Sequence, residues 1–217
     1  EGTRNTLSAA RLAGIDRCVV VSSACTIGLS RQASRILDED APFSLRLAAR
    51  NPYLRSKHMA ESFALEAARR GQSITIVNPT TVFGPGDRTL NSGSIIKQVA
   101  CARVMPIPPG GSNVVDVRDV AEGILAAAER GRSGQRYILG GHNLTFRDIF
   151  TEIAAVVGRS PLMVALPRAG KTPMTAAAWL VGRLTGSRLI TPQIISDTFA
   201  FKYYTSRRAH YDLGWRL

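Results

Sequence analysis

Tyr53 and Lys57 lie four residues apart in a segment whose sequence predicts a helix. Residues at this spacing share one face of a helix, so the lysine ammonium is expected beside the phenol. A cation about 4 Å away, at an effective dielectric of about 20, favours the phenolate by up to roughly 4 kcal/mol, or roughly three pKa units. The pair therefore predicts acid–base chemistry on a carbonyl or an alcohol. Ser23, at the end of a predicted strand, offers a hydroxyl to hold the substrate oxygen.

The elements around this pair predict where it lies in a fold. Asn51 and Pro52 are typical of the cap and first residue of a helix, and Gly71 is typical of its end. The β-branched runs at 19–21 and 74–77 flank that helix and predict buried strands. The catalytic candidates therefore fall near the carboxyl ends of strands, where open α/β sheets bind ligands.

Each candidate also has a purely structural interpretation. A tyrosine and a lysine at this spacing are expected by chance in about one in ten sequences of this composition. Ser22 and Ser23 could simply cap the end of a strand, and Tyr53 could pack against the sheet.

The rest of the chain alternates between helical and strand patterns, which predicts an α/β fold. Residues 29–50 and 79–94 are expected to be irregular, and a strand and short helix are expected to end the chain. Helices are predicted at 3–13, 95–103, 118–130, 145–158 and after Thr172 and Thr191, and strands at 18–22, 113–117, 136–139, 162–166 and 203–206.

Four stretches, in matching order and spacing, resemble the extended short-chain dehydrogenase/reductase superfamily, also called the NAD-dependent epimerase/dehydratase family. They are VVVSSA at 19–24, YLRSK at 53–57, NPTTVFGPGD at 78–87 and VDVRDVA at 115–121. Within the family, GQRYILGG at 134–141, followed by NLT at 143–145, is similar to the dihydroflavonol-reductase-like branch, which includes hopanoid-associated sugar epimerases.

The resemblance implies a role for each catalytic candidate and a nicotinamide cofactor, NAD or NADP. Tyr53 is implied to be the acid/base, Lys57 to bind the nicotinamide ribose and bias Tyr53, and Ser23 to hydrogen-bond the reacting oxygen. Asn78 stands where family members often carry an arginine, so the ion pair usual there is an open question. The further implied cofactor contacts are Ser22, Pro79, Thr80, Thr81 and Val82, and the implied substrate contacts are Thr26, Arg88 and Asn91.

The glycine-rich turn that holds the cofactor pyrophosphate in this family has no counterpart in the sequence. The chain therefore resembles roughly the last two-thirds of such an enzyme. The expected fold is a partial Rossmann-like, doubly wound parallel sheet without its first βαβ units, followed by a small α/β substrate lobe. Residues 1–112 are predicted to carry the catalytic part of the dinucleotide-binding domain. Residues 113–217 are predicted to form mainly the substrate lobe, interleaved with the last strands of the sheet.

Composition excludes several other classes of protein. With 217 residues and 45% hydrophobic content, the chain can bury a core. No apolar run reaches the eighteen or so residues of a membrane span, so none is predicted. The net charge of +12 comes from arginines spread along the chain, which does not favour nucleic-acid binding. Cys18, Cys25 and Cys101 lack metal-ligand spacing, so no metal and a reducing cytoplasm are predicted.

The predicted function is an NAD(P)-dependent oxidoreductase or epimerase that acts on an alcohol or carbonyl of a sugar nucleotide or a similar small molecule. One alternative is a noncatalytic, truncated family member that acts only as a structural or dimerising remnant. A basic nucleic-acid-binding module is the other alternative. The resemblance also implies a homodimer that forms through the helices at 3–13 and 52–70.

Overall fold

The central sheet consists of three parallel strands with β2 in the middle. Strands β1 (Cys18–Val21) and β6 (Arg136–Leu139) pair on either side of β2 (Ile74–Pro79). All six residues of β2 are buried, as expected for a β-branched strand that is covered on both faces. The computed structural model describes residues 1–43, 51–176, 183 and 192–217.

Helices connect and cover this sheet, and the described residues also form a four-stranded sheet and a two-stranded sheet. The helices are α1 (Gly2–Leu12), α2 (Pro52–Arg69), α3 (Gly93–Cys101), α4 (Val117–Arg130), α5 (Phe146–Val156), α6 (Pro192–Thr198) and α7 (Arg207–Leu213). The remaining strands are β3 (Thr81–Phe83), β4 (Val104–Ile107), β5 (Gly111–Asp116), β7 (His142–Thr145), β8 (Leu162–Ala165) and β9 (Phe201–Lys202). Helix α2 links β1 to β2, so it holds the segment with the Tyr–Lys pair against the central sheet.

The helix ends follow the sequence signals. The Asn51 side chain accepts a hydrogen bond from the backbone N–H of Leu54 at 3.1 Å, with Pro52 as the first residue of α2. Thr145 and Asp148 form a reciprocal capping box at the start of α5. These local contacts need no distant partner, which is why the sequence alone predicts them.

The predicted α/β class with a parallel, Rossmann-like sheet is confirmed. Most of the predicted helices and strands are present within a few residues of their expected ends. The segment at 171–176 is helical, as expected after Thr172, and α6 begins at Pro192, but Thr191 and 44–50 fall outside the described residues.

Three strands were not predicted, and one prediction was wrong. β4 pairs with β8, β7 pairs with β5, and β3 lies in a segment expected to be irregular. They are short, so their pairing depends on partners distant in the chain. The strand expected at 203–206 is absent: β9 ends at Lys202, and only a single bridge joins Tyr204 to Leu37.

Helix α3 begins two residues before its predicted start. The Asp87 carboxylate accepts hydrogen bonds from the backbone N–H groups of Gly93, at 2.8 Å, and Asn91, at 3.1 Å. A carboxylate from the preceding loop therefore caps α3.

The C-terminal residues pack closely on α4. The indole N–H of Trp215 donates to the carbonyl of Asp119 at 2.7 Å. A Cβ at Gly123 would lie 2.7 Å from the Leu139 side chain, so this crossing of α4 and β6 requires glycine. Since β6 pairs with β2, the second half of the chain completes the central sheet, and the division at residue 112 stays a prediction.

In the part of the chain that the structure describes, no helix combines the length and apolar character needed to cross a bilayer.

We expect Ile76→Ala to lower the free energy of unfolding by about 2–5 kcal/mol, because it leaves a cavity in the fully buried centre of β2. Leu125→Ala, at a side chain that is 64% exposed on α4, is the matched control, with an expected change of about 0.5 kcal/mol or less. Chemical denaturation of both variants measures the difference. Equal losses would contradict the placement of β2 at the core.

Tyr204 predicts a loss of stability at alkaline pH. Its hydroxyl is buried and donates to the Gly28 carbonyl at 2.6 Å, and burial raises the pKa of Tyr204 above its ordinary value. The contribution of Tyr204 to the free energy of unfolding is fully present below about pH 10, the pKa of tyrosine in the unfolded chain. It falls as the pH rises further, because only the tyrosine of the unfolded chain ionises there.

Tyr204→Phe should reduce this alkaline slope by up to about 1.4 kcal/mol per pH unit, measured by denaturation at several pH values. Tyr211→Phe, which removes a tyrosine that is 76% exposed, is the control. An unchanged slope in Tyr204→Phe would show that another group carries the alkaline transition.

Candidate active site

A cleft of about 650 Å³ lies beside Tyr53, just past the carboxyl end of β2. Tyr53 is in the first turn of α2, and its side chain is 57% exposed. The floor comes from the segment after β2, and the start of α4 also lines the cleft. The lining residues are Tyr53, Thr80 to Asp87, Asn91, Ser92 and Val117.

Ser23 lies next to Tyr53 at the end of β1. It begins the 3-10 turn Ala24–Thr26, and its Oγ accepts a hydrogen bond from the backbone N–H of Cys25 at 3.3 Å. Its hydroxyl also lies near the Tyr53 phenol and lowers the pKa of that group. Lys57 is half-buried, one turn after Tyr53 on α2. The structure thus brings together side chains that are thirty residues apart in the sequence.

The pKa of Tyr53 is raised above its ordinary value. Burial is the largest cause, the charge of Cys25 adds to it, and the hydrogen bond from Ser23 lowers the pKa in part. The prediction that Lys57 brings the pKa of Tyr53 down is therefore wrong, because desolvation of the phenolate dominates here. The phenol is protonated at neutral pH.

Cys25 is a neighbour of this site that the sequence reasoning missed. Burial raises the pKa of its thiol, while the Ser23 hydrogen bond and the Lys57 charge lower it. The charge of Lys57 therefore lowers the pKa of Cys25, and the charge of Cys25 raises the pKa of Tyr53. Spacing could not show this, because the 3-10 turn decides which side chain after Ser23 approaches the phenol.

Ser22 and Thr26, predicted as ligand contacts, belong to a buried polar cluster. The Ser22 and Thr26 hydroxyls donate to the Glu61 carboxylate at 2.6 and 2.8 Å. Thr26 has no exposed surface, and its hydroxyl also donates to the Ser23 carbonyl. Both side chains hold the Ser23 turn in place instead of lining the cleft, because a buried hydroxyl must find its partners inside the protein.

The segment predicted to pass under the nicotinamide forms the floor of the cleft. Pro79 is buried at the end of β2, and the next residues, Thr80, Thr81 and Val82, line the cleft. The Thr80 hydroxyl donates to the Asn113 side chain at 2.8 Å. The segment is thus fixed to β5, and its contacts with a cofactor stay a prediction.

The two substrate-contact candidates in the loop before α3 differ in position. Asn91 lines the cleft, whereas Arg88 is exposed and outside the lining. Asp87 holds the backbone of this loop through its bonds to Asn91 and Gly93. In the described ranges, no three histidine, cysteine or acidic side chains converge to hold a metal ion.

The chain is similar to known enzymes over nearly all of its length. Residues 1–140 match the model of the NAD dependent epimerase/dehydratase family. A protein of Synechocystis sp. named "Putative dihydroflavonol 4-reductase" is 34% identical over 98% of this chain. The resemblance to this family and branch is confirmed.

Solved structures show the same fold. The crystal structure of gox2253 matches with a TM-score of 0.82 and 31% identity over 99% of this chain. A nucleoside-diphosphate-sugar epimerase from Pseudomonas aeruginosa matches with a TM-score of 0.78 and 25% identity over 97% of this chain and 64% of that one. The present chain spans 63% of the Synechocystis protein and 66% of gox2253.

Opposite effects on Tyr53 are expected from its two neighbours. Ser23→Ala should raise the pKa of Tyr53, because it removes the hydrogen bond that favours the phenolate, and Cys25→Ala should lower it, because it removes a like charge. The measurement is tyrosine absorbance against pH, subtracting the same curve from a background that also carries Tyr53→Phe. Shifts in the same direction would refute this assignment.

Proposed function

This chain belongs to the NAD dependent epimerase/dehydratase family, and from that premise we propose that it is the catalytic part of a nicotinamide-dependent reductase for a small carbonyl compound. The observation that carries the proposal is the position of Tyr53, a partly exposed phenol that lines the 650 Å³ cleft at the carboxyl end of β2. Cavities of about 300–1,000 Å³ suit small ligands. The names of relatives in the family include reductases, among them the Synechocystis protein.

Tyr53 is proposed to act as the general acid. Its raised pKa keeps the hydroxyl protonated at neutral pH, so it can donate to an oxygen on which negative charge develops. The proton leaves Tyr53 Oη for the carbonyl oxygen, and the resulting phenolate takes a proton from solvent. Burial opposes the phenolate, so the proton stays on Tyr53 until the more basic alkoxide oxygen develops beside it.

Ser23 and Lys57 are proposed to assist this proton transfer. The Ser23 hydroxyl lies near the phenol and lowers its pKa, so it is proposed to hydrogen-bond the oxygen that accepts the proton from Tyr53. Lys57 places its positive charge near Cys25 and is proposed to assist by holding the nicotinamide ribose.

The residues present fit the nicotinamide end of NAD or NADP. The cleft lies at the carboxyl end of β2, where ligands of open α/β sheets bind, and its floor from Thr80 to Val82 is anchored to β5. Pro79 to Val82 and Lys57 would hold the nicotinamide and its ribose, with Ser22 acting indirectly through its buried bond to Glu61. When bound, the cofactor supplies the hydride that reduces the carbonyl carbon.

The substrate is proposed to enter over the loop before α3. Asn91 offers an amide to the cleft, and exposed Arg88 on the same loop offers a cation to a phosphate-bearing substrate such as a sugar nucleotide. Thr26 contributes only by fixing the turn that holds Ser23.

An epimerase is the second candidate, favoured by the structural match to the Pseudomonas aeruginosa epimerase. The same tyrosine and serine would serve a hydride that returns to the other face of a transient ketone. A reductase consumes reduced cofactor in proportion to product, whereas an epimerase changes substrate stereochemistry with no net consumption.

We further propose that α1 and α2 form a homodimer contact. Leu12 on α1 is 84% exposed, and Met59 and Phe63, one turn apart on α2, are 48% and 40% exposed. An apolar face of this kind suits a second copy of the chain.

Tyr53→Phe should lower turnover by about 10²–10⁴-fold, because it removes the proton donor while keeping the ring. Cofactor affinity should stay within a factor of about 3 of the original, since the ring still fills its place. Turnover is followed by nicotinamide absorbance with a panel of ketones and sugar nucleotides, and affinity by calorimetry.

Tyr211→Phe is the matched control, since it makes the same change at an exposed position outside the cleft. Full turnover in Tyr53→Phe would remove the phenol from the mechanism.

A further inference from the structure

One buried carboxylate, that of Glu61, connects the elements that carry the proposed active site. Glu61 is 2% exposed. Its Oε2 accepts from Ser22 Oγ at 2.6 Å, from Thr26 Oγ1 at 2.8 Å and from Asn78 Nδ2 at 2.9 Å. Its Oε1 accepts from Arg136 Nη1 at 3.1 Å, which also forms an ion pair.

These four partners come from four different places in the fold. Ser22 directly follows β1, and Thr26 closes the 3-10 turn that Ser23 begins. Asn78 lies in β2, just before the segment that forms the cleft floor, and Arg136 begins β6. Glu61 itself lies on α2, two turns after Tyr53. The carboxylate therefore ties Tyr53's helix to the turn of Ser23 and to the cleft floor.

The negative charge of Glu61 is balanced by a positive charge within the same cluster. A buried carboxylate is unfavourable unless it is paired and its oxygens are satisfied. Arg136 supplies the positive charge, is largely buried, and also donates to the backbone carbonyl of Glu39. The Arg136 end of the pair is thus fixed to the backbone, and the Glu61 end is fixed by side-chain donors.

Asn78 has a fixed orientation in this cluster. Its Nδ2 has three acceptors, namely the Ser23 carbonyl at 3.1 Å, Thr26 Oγ1 at 3.0 Å and Glu61 at 2.9 Å. Rotation of the amide by a half-turn would set its Oδ1 against the Glu61 oxygen. The amide is therefore locked, and it links Ser23 directly to Glu61.

We propose that Glu61 is the positioning residue of the active site: it sets the contact between Ser23 and Tyr53 without touching substrate itself. The inference rests on the proposed function for its effect on turnover. The positioning role itself does not depend on that function. It concerns the distance between the turn that Ser23 begins and helix α2, which carries the Glu61 carboxylate.

Glu61→Gln tests this role at constant side-chain size. Glutamine has one acceptor oxygen, and its NH₂ would face either Arg136 or the donors Ser22, Thr26 and Asn78. One side of the cluster is then left without an acceptor, and the turn with Ser23 separates from α2. Loss of the Ser23 hydrogen bond raises the pKa of Tyr53, since that bond lowers it.

The experiment uses the protein as it is naturally expressed. Turnover per folded molecule should fall about 100-fold in Glu61→Gln, the loss that a displacement of about 1 Å can cause. The alkaline decline of the reduction rate should move to higher pH, and the absorbance titration of Tyr53 should move with it. Glu66→Gln, on the same helix but paired with exposed Arg69 and Arg70, should change none of these.

Thr26→Val is the second variant, because loss of the buried charge in Glu61→Gln could prevent folding. It keeps the shape of the side chain and removes the hydroxyl that donates to Glu61 and to the Ser23 carbonyl and accepts from Asn78. In Thr26→Val, smaller moves of both pH midpoints in the same direction as in Glu61→Gln support the proposal. Unchanged pH midpoints and unchanged turnover per folded molecule in Thr26→Val or Glu61→Gln, with only a lower melting temperature, would overturn it.

The two proposals fail in distinguishable ways. If the natural protein has no turnover while the Tyr53 titration still moves in Thr26→Val, the proposed function fails and the positioning role stands. If turnover is present but neither pH midpoint moves in the variants, the positioning role fails and the proposed function stands.

Discussion

Strand β2 has no exposed residue, and its backbone pairs with β1 on one edge and with β6 on the other. An apolar strand in that position requires cover on both faces, and the helices α2 and α4 provide it. The cleft then opens where β2 ends, because the chain leaves the sheet there and turns along β3. The position of the cleft is thus a consequence of how β2 is buried.

The donors beneath the cleft find their acceptors inside the protein, whereas the Asn78 Oδ1 atom is buried without a partner. Asn78 is fully buried in β2, where the family often carries an arginine, and the positive charge comes instead from Arg136 on the neighbouring strand. The parallel register pairs Arg136 with Ile76 of β2, two residues before Asn78. The carboxylate of Glu61 remains paired although the residue at position 78 is neutral.

The electrostatics of Tyr53 keep its phenol protonated at neutral pH. Partial burial and the neighbouring thiol both oppose the phenolate, and one hydrogen bond from Ser23 favours it. A reductase needs an acid at the carbonyl oxygen, so this balance suits the reduction direction. Residues 1–140 match the family of NAD dependent epimerases and dehydratases, and a fold by itself does not specify a substrate.

The sequence by itself determined the features that depend on neighbouring residues. These are the cap at Asn51, the capping box at Thr145, the buried strands and the Tyr53–Lys57 spacing, all set by contacts within one turn or by the period of a strand. Only the tertiary structure decided the sign of the Tyr53 pKa shift, the approach of Cys25, the burial of Thr26 and the pairing of Glu61 with Arg136. Desolvation and long-range pairing depend on which elements pack together, and no local pattern in the chain records that.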